Sequence, residues 1–151
     1  MRTILTRVSD RDEEQVTIQC VEVTQDIRNL QAYAESVGSS ITAVIDDKTV
    51  NVPLGDILYF EAVDEKVFAY LPTAVAEVKG RLYEYEDRLR EKGFVRVSKS
   101  VLLHLSKIRS ISPTLGRKFI AELEGGECVV ISRQYIKTLR EILLGGNVNG
   151  F

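Results

Sequence analysis

The sequence predicts a mainly β protein, α+β overall, built as an elongated stack of small antiparallel sheets with short helices and preceded by a β-α unit. Three observations lead to this fold class. Short β-branched and apolar runs follow one another at nearly even spacing between residues 41 and 131, as in antiparallel sheets. Turn residues such as Asp46 and Asp47 separate the runs. Only residues 81–92 have apolar side chains at helical spacing within this span, so alternating β-α units are not expected there.

The first 40 residues predict the β-α unit. Gln15 to Glu22 alternates apolar and polar side chains, as a strand does. A helix follows, with Thr24 as its N-cap and Gly38 at its end. Its apolar face consists of Ile27, Leu30, Ala34 and Val37. Since so small a unit cannot bury this face alone, we predict that residues 1–40 form an extension that takes part in a homodimer. The alternative is that the unit packs along a sheet of its own chain and extends that sheet.

Residues 41–145 are predicted to form one domain. Its hairpins join residues 41–45 to 49–54, 57–63 to 67–71, and 117–123 to 127–131. A strand at 74–79 precedes the helix at 81–92. Ser132 is predicted to cap a last helix, with Ile136, Leu139 and Leu143 on its apolar face and Gly145 at its end. Residues 146–151 are expected to be a flexible tail.

The most informative stretch is residues 94–104, FVRVSKSVLLH, which predicts a strand with a polar, basic edge. Residues 93–140 contain nine Lys and Arg against three Asp and Glu, a surplus of six positive charges. The whole chain has a net charge of −2, so the remaining residues sum to −8. Such asymmetry indicates binding to a polyanion. The alternative is that these cations are only a solvated face.

The composition excludes several other classes of protein. No window approaches the ~18 uninterrupted apolar residues of a membrane span, and the N-terminus turns acidic before a secretory signal could form. A cytoplasmic protein without a membrane partner is expected. Cys20 and Cys128 lie in apolar runs and predict buried, reduced thiols, with a disulfide as the alternative.

Catalysis has little support in the sequence. Glu61, Asp64, Glu65 and His104 are the candidate acid-base or metal-binding side chains, but their spacing fits no known motif for a metal site or phosphate loop. We therefore expect no enzyme, no cofactor, no metal and no small-molecule substrate.

Four segments in order, GDILYFEAVDEKVFAY, LYEYEDRL, GFVRVSKSVLLHLSKI and GECVVISRQYIKTLREIL, resemble the LytTR-type DNA-binding domain of bacterial transcription regulators. The resemblance covers roughly residues 41–144. It implies a stack of β-sheets whose loops and strand ends enter the major grooves of double-stranded DNA, and hence a sequence-specific transcriptional regulator. Members often carry a receiver domain, for which residues 1–40 are too short, so a stand-alone regulator is expected.

The resemblance also implies contact residues. Members bind DNA from the loop after an Ile/Phe-Glu strand, from the position before the Ser of an Arg-x-x-x-Ser strand, and from the Arg after the last hairpin. These positions correspond to Lys66, Lys99 and Arg133, with Glu65 as the alternative to Lys66. His104 stands where the family commonly has Asn, and a structural role is expected for it.

Lys99 and Arg133 suit base recognition, because both side chains can donate to guanine O6 or N7. Four further cations are expected to position the DNA backbone, namely Lys107, Arg109, Arg117 and Lys118. Arg96 is also predicted to contact DNA. The alternative function is a basic, β-rich module that binds an acidic protein partner.

Overall fold

The computed structural model describes residues 1–10, 13–37 and 39–144. These residues form three α-helices, α1 (Gln25–Ser36), α2 (Leu82–Leu89) and α3 (Arg133–Leu144). Short 3-10 turns lie at Leu54–Asp56, Arg90–Lys92 and Leu105–Lys107. The predicted helix ends at Gly38 and Gly145 and the predicted tail at 146–151 fall outside the described residues.

Seven strands form the larger antiparallel sheet. They are β1 (Ser40–Ile45), β2 (Lys48–Pro53), β3 (Tyr59–Val63), β4 (Lys66–Tyr70), β5 (Val75–Val78), β6 (Phe94–Arg96) and β7 (Val101–His104), in the order β2-β1-β5-β4-β3-β7-β6. The β1–β2 and β3–β4 turns place two consecutive residues each at positive φ, such as Asp64 and Glu65. Two-residue hairpin loops need this backbone conformation. The first two predicted hairpins, the strand after them and the helix over 81–92 are therefore confirmed.

Three strands form the smaller antiparallel sheet. They are β8 (Ile108–Pro113), β9 (Phe119–Leu123) and β10 (Cys128–Ile131), in the order β10-β9-β8. The β9–β10 pair is the third predicted hairpin. Strand β8 was missed, because Arg109, Ser110 and Ser112 interrupt its apolar pattern. The mainly β, antiparallel fold class is confirmed.

The larger sheet is buried on both faces near β3 and β7. Phe60 and Leu102 belong to one core, which α2 covers with Tyr85 and other apolar side chains. Tyr59 and Leu103 belong to a second core, shared with the smaller sheet and α3. Neighbouring strand residues point to opposite faces, so each of these strands supplies both cores. This burial explains why all four residues of β7 are buried.

Two sequence predictions about strands are corrected. Residues 94–104 form not one strand but a hairpin, in which Phe94 pairs with His104 around a loop at 97–100. Ser98, Lys99 and Ser100 of FVRVSKSVLLH belong to this loop rather than to a strand edge. Residues 13–22 form no strand, so the strand predicted from Gln15 to Glu22 is wrong. Alternation favours a strand only where a sheet offers a pairing partner.

The prediction of buried cysteines is also wrong. Cys20 and Cys128 are both free and exposed. Cys128 opens β10, where the buried neighbour Val129 takes the inward position. Because side chains alternate along a strand, Cys128 points outward although the run around it is apolar.

Helix α1 docks on its own chain. Thr24 caps it by accepting a hydrogen bond from the Ile27 amide, and Ile27 is buried. At the other end of the helix, Lys92 Nζ donates to the Glu35 carbonyl at 2.9 Å. Gly93 has φ +88°, and a Cβ there would lie 3.1 Å from the Ala32 Cβ, so a residue without a side chain allows this close approach.

The predicted apolar face of α1 is only partly covered. Leu30 and Val37 are 39% and 64% exposed, although Ile27 is buried. Leu30 and Val37 are seven residues apart, so they lie on the same side of the helix. Helix α1 therefore docks on its own chain, as in the alternative, but residues 13–22 add no strand to the larger sheet. This docking leaves an apolar strip on the surface.

Candidate nucleic-acid interface

Lys99 and Arg133, predicted from separate segments of the chain, line one surface groove. Lys99 comes from the β6–β7 loop, and Arg133 is the first residue of α3. The Ser132 amide donates to the Val97 carbonyl at 2.8 Å, which ties the start of α3 to the loop. The groove is lined by Ser98, Lys99, Ser100, Ser132, Arg133, Gln134 and Lys137. It thus combines three cations with hydroxyl and amide groups that can donate hydrogen bonds.

Lys137 and the neighbouring polar groups were missed as site residues. Lys137 is exposed and follows Arg133 by four positions on α3. Residues four apart lie on the same helix face. This spacing was the signal in the sequence that could have placed Lys137 beside Arg133.

The start of α3 favours an anion. The helix has twelve residues and no acidic residue in its first turn, while Arg133 and Lys137 add positive charge there. A helix N-terminus already carries partial positive charge and free amide donors. Cations placed at this end repel the helix dipole, and a bound phosphate would relieve that repulsion.

Lys66 lies at the same end of the larger sheet as the groove. The Ala62 amide donates to the Ser100 carbonyl at 2.8 Å, so the β3–β4 turn lies beside the β6–β7 loop. Lys66 opens β4, two strands from β7, which corresponds to about 10 Å. Its ammonium pairs with Glu77 at 3.7 Å. Asp64 and Glu65 precede Lys66 in the turn, so the local charge there is less positive than in the groove.

Arg117 and Lys118 also belong to this end. Phe119 pairs with Ile131 in the β9–β10 ladder. Lys118 comes just before β9 and Ser132 comes just after β10, so both residues lie at the same end of the smaller sheet. Thr114 closes the turn by donating its amide and its hydroxyl to the Lys118 carbonyl, at 2.9 and 3.0 Å. Both cations are exposed.

We call this part of the molecule the basic end. It consists of residues 64–66, 97–100, 114–118 and 132–137. It brings together Lys66, Lys99, Arg117, Lys118, Arg133 and Lys137 from four separate segments.

Lys107 and Arg109 lie at the opposite end of the smaller sheet. Lys107 pairs with Glu124 at 3.8 Å, and Arg109 pairs with Glu122 at 3.5 Å. Strand β9 has five residues, so the two ends of this sheet are roughly 15 Å apart. The structure therefore does not bring these two cations together with Lys99 and Arg133.

Arg96 is held by internal contacts. Its Nε donates to Glu86 Oε2 at 2.8 Å, and its Nη1 donates to the Lys99 carbonyl at 2.5 Å. The Arg96 side chain is only 17% exposed. Arg96 lies next to the groove, but its guanidinium donates to Glu86 and to the Lys99 carbonyl within the protein.

His104 has a structural position, as expected. It is fully buried, and its ring stacks on Phe94 with the centroids 4.3 Å apart. Nδ1 lies 2.9 Å from the Ile57 carbonyl, and Nε2 lies 3.0 Å from the Ser106 hydroxyl. A carbonyl only accepts, so Nδ1 carries the proton and Nε2 accepts from Ser106. Burial lowers the pKa of His104 to about 4, although the hydrogen bond to Ile57 opposes this shift.

No group of three or more His, Cys, Asp or Glu side chains among the described residues could hold a metal ion. In the same part of the chain, no helix combines the length and the apolar character needed to cross a membrane.

The fold and the site define a mainly antiparallel β domain with a basic end suited to a polyanion. A family model described as the LytTr DNA-binding domain matches residues 47–144, which is more than half of the chain. The chain therefore belongs to the LytTR DNA-binding domain family, and the resemblance predicted from the sequence is confirmed.

A solved relative has the same fold. The LytTr DNA-binding domain of a response regulator from Bacillus cereus superposes with a TM-score of 0.65 at 28% identity. The superposition covers 70% of this chain and 96% of that domain.

Three curated relatives are transcription or signalling regulators by name. The transcriptional regulatory protein YpdB of Escherichia coli K12 is 28% identical over 105 residues, which is 69% of this chain and 43% of YpdB. The sensory transduction protein LytT of Bacillus anthracis is 27% identical over 123 residues, or 82% of this chain and 49% of LytT. The chain thus spans less than half of either protein. An uncharacterized HTH-type transcriptional regulator of Staphylococcus aureus is 23% identical over 89% of this chain and 92% of its own length.

The buried imidazole predicts a specific pH dependence of stability. Between about pH 6.5 and pH 4 the unfolded chain binds a proton at His104 that the folded protein does not bind, so the free energy of unfolding falls as the pH is lowered through this window. The pKa difference corresponds to about 3 kcal/mol. The His104→Asn variant lacks this titrating group. Urea denaturation at about pH 7 and about pH 4 should therefore show a smaller decrease in the free energy of unfolding for the variant than for the parent. An equal decrease in both proteins would contradict the assignment of a neutral, buried imidazole.

Proposed function

We propose that this chain is a sequence-specific regulator of transcription that binds double-stranded DNA through its basic end, reading the major groove from loops and strand ends. The observation that carries the proposal is that Lys99 and Arg133, 34 positions apart in the sequence, line one groove at a helix N-terminus. Membership in the LytTR family and the names of the relatives support DNA as the partner.

The basic end offers two kinds of DNA contact. Lys99 and Arg133 sit in the groove, where their donors can reach guanine O6 and N7. Lys137, Arg117 and Lys118 surround them and suit phosphate oxygens, whose contacts set register without reading sequence. Lys66 extends this surface along the edge of the larger sheet.

Lys107 and Arg109 have a weaker role in this proposal. Each already has a glutamate partner at the opposite end of the smaller sheet. They would contribute to the long-range potential that attracts DNA rather than to the bound interface.

The alternative partner is an acidic protein surface. It would use the same cations but would not need the groove at the start of α3, where amides and hydroxyls converge. Amide and hydroxyl groups donate hydrogen bonds in defined directions, which suits phosphate oxygens and the acceptor atoms on base edges. The geometry therefore favours DNA.

The stand-alone arrangement and the cytoplasmic location remain predictions. The short relative from Staphylococcus aureus, 92% of which is covered, supports a regulator of similar size. A location where chromosomal DNA is accessible follows from the proposed partner. An enzymatic activity has no place in this proposal.

We further propose a homodimer formed through the exposed strip of α1, with Leu30 and Val37 of each copy in the contact. The helix docks near the 3-10 turn Leu105–Lys107, which follows the end of β7 away from the loop at 97–100. A second copy bound there would leave the basic end accessible. Two copies would suit a repeated DNA site.

Single substitutions in the groove test the DNA proposal. A preferred duplex is first selected from a random pool, and its affinity is then measured for Lys99→Ala and Arg133→Ala. Each loss of a base contact should weaken specific binding by about 1–3 kcal/mol while the melting temperature stays near that of the parent. The matched control is Lys48→Ala, an exposed lysine on β2 at the far edge of the larger sheet, which should bind like the parent.

Salt dependence separates the two partners in the same experiment. With roughly four to six phosphate contacts, log K against log salt should fall with a slope of about −4 to −5, and Lys118→Gln should reduce the slope by ~1 without changing the preferred sequence. A slope near zero, or parent-like binding by both groove variants, would argue against DNA contact at the basic end.

The homodimer is tested by the sedimentation of full-length variants. Val37→Glu places a charge in the proposed apolar contact, where desolvation disfavours it, so the variant should sediment as a monomer at concentrations where the parent is a dimer. Tyr83→Glu is the control, because Tyr83 is an exposed apolar residue on another helix. A parent that is monomeric at all concentrations, or a dimeric Val37→Glu, would rule out this contact.

A further inference from the structure

The loop at 97–100, which carries Lys99, is fixed by hydrogen bonds to its carbonyl groups. The Val97 carbonyl accepts from the Ser132 amide and the Ser100 carbonyl accepts from the Ala62 amide, each at 2.8 Å. Both donors are backbone groups, one at the start of α3 and the other in β3. These two contacts fix the ends of the loop.

The middle of the loop has a different anchor. The Lys99 carbonyl accepts a hydrogen bond from Arg96 Nη1 at 2.5 Å, and the Nε of the same guanidinium donates to Glu86 Oε2 at 2.8 Å. Glu86 lies on α2, between the buried residues Tyr85 and Leu89. The guanidinium therefore connects the DNA-facing loop to a helix that is packed into the core.

The chemistry of arginine suits this connection. The planar guanidinium presents donors in fixed, divergent directions, whereas a lysine ammonium is a single point on a flexible stem. One arginine can thus hold a carboxylate and a carbonyl at the same time. The contact to Lys99 is also the one contact of the three described above that depends on a side chain, so a substitution can remove it.

We propose that Arg96, held by Glu86, is a positioning residue that sets the place of Lys99 in the groove and does not itself contact DNA. This inference rests on the proposed function of the groove. It assigns Arg96 a role different from the direct DNA contact expected from the sequence. A loop fixed before binding has less conformational freedom to lose when it meets its ligand, so the anchor favours specific binding.

Burial and a short distance distinguish this pair from the exposed Arg90–Asp87 pair nearby in the sequence. The side chains of Arg96 and Glu86 are 17% and 27% exposed, with an N–O distance of 2.8 Å. In the Arg90–Asp87 pair, the side chains are 68% and 71% exposed, and the nitrogen and oxygen atoms are 3.4 Å apart. Exposed pairs of that kind rarely hold a geometry, and Arg90 has no contact with the loop among its described hydrogen bonds.

The test is a double-mutant cycle in the full-length protein, with the selected duplex and an unrelated duplex as probes. Arg96→Lys keeps the positive charge but cannot donate to Glu86 and to the Lys99 carbonyl at the same time. Specific affinity should fall on the order of 10-fold, while affinity for the unrelated duplex should stay within about 2-fold, because phosphate attraction depends on charge. In the Lys99→Ala background, Arg96→Lys should change specific affinity by less than about 2-fold, since the side chain it positions is gone.

Two further variants complete the design. Arg90→Lys is the matched control and should bind both duplexes like the parent. Glu86→Ala removes the acceptor that holds Arg96 while keeping Arg96 itself, and it should give the same non-additive pattern with Lys99→Ala even if Arg96→Lys does not fold. Losses that are additive with Lys99→Ala, or parent-like specific binding by both Arg96→Lys and Glu86→Ala, would overturn the inference while leaving the groove proposal standing. A parent that selects no duplex would overturn the proposed function and this inference together.

Discussion

The burial of both faces of β7 is the constraint on which the rest of the structure depends. Leu102 and Leu103 are adjacent and fully buried, one in the core covered by α2 and the other in the core shared with the smaller sheet and α3. Because one strand supplies both cores, the larger sheet, the smaller sheet and two helices are held in a fixed relation. The loops at the ends of these elements are fixed with them, and the groove between the β6–β7 loop and α3 is a direct consequence.

The two ends of this layered structure differ in chemistry. At the basic end the cations come from turns and from a helix start, where side chains face solvent. At the other end, Glu127 of the β9–β10 turn accepts a hydrogen bond from the Tyr59 hydroxyl at 2.6 Å. The Tyr59 ring stacks on the Tyr70 ring at 4.4 Å, and the Tyr70 hydroxyl donates to Glu61 at 2.9 Å. Burial, followed by the hydrogen bond to Glu127, raises the pKa of Tyr59. Strand β3 is thereby joined to the β9–β10 turn, where Glu124 also pairs with Lys107, whereas Lys66 is the cation of the basic end that pairs with a glutamate in the contacts described above.

Local chemistry was enough to predict much of the fold. The Asp46-Asp47 and Asp64-Glu65 turns, the Thr24 cap and the apolar spacing of α3 each depend on a few neighbouring residues, and these elements are where the sequence placed them. The failures involve distant partners. The segment from Gln15 to Glu22 has the pattern of a strand but no sheet edge to join. Cys128 lies on the outer face of β10, which only the register of the smaller sheet determines.

The candidate site was predictable in part for the same reason. Family resemblance and charge identified Lys99 and Arg133, which the structure brings into one groove. Charge alone could not separate Lys118, at the basic end, from Arg109, which pairs with Glu122 across the smaller sheet. Nor could it show that Arg96 reaches a glutamate ten positions earlier. These distinctions depend on strand register and on which side chains meet after folding.

If DNA binds the basic end and only that end, the backbone amides there should respond when isotope-labelled protein is titrated with the selected duplex and followed by nuclear magnetic resonance. The largest shifts should fall at 64–66, 97–100, 114–118 and 132–137, while those of residues 105–109 and 124–127 should stay small. Shifts concentrated at 105–109 and 124–127, with the amides of Lys99 and Arg133 unchanged, would contradict binding at the basic end.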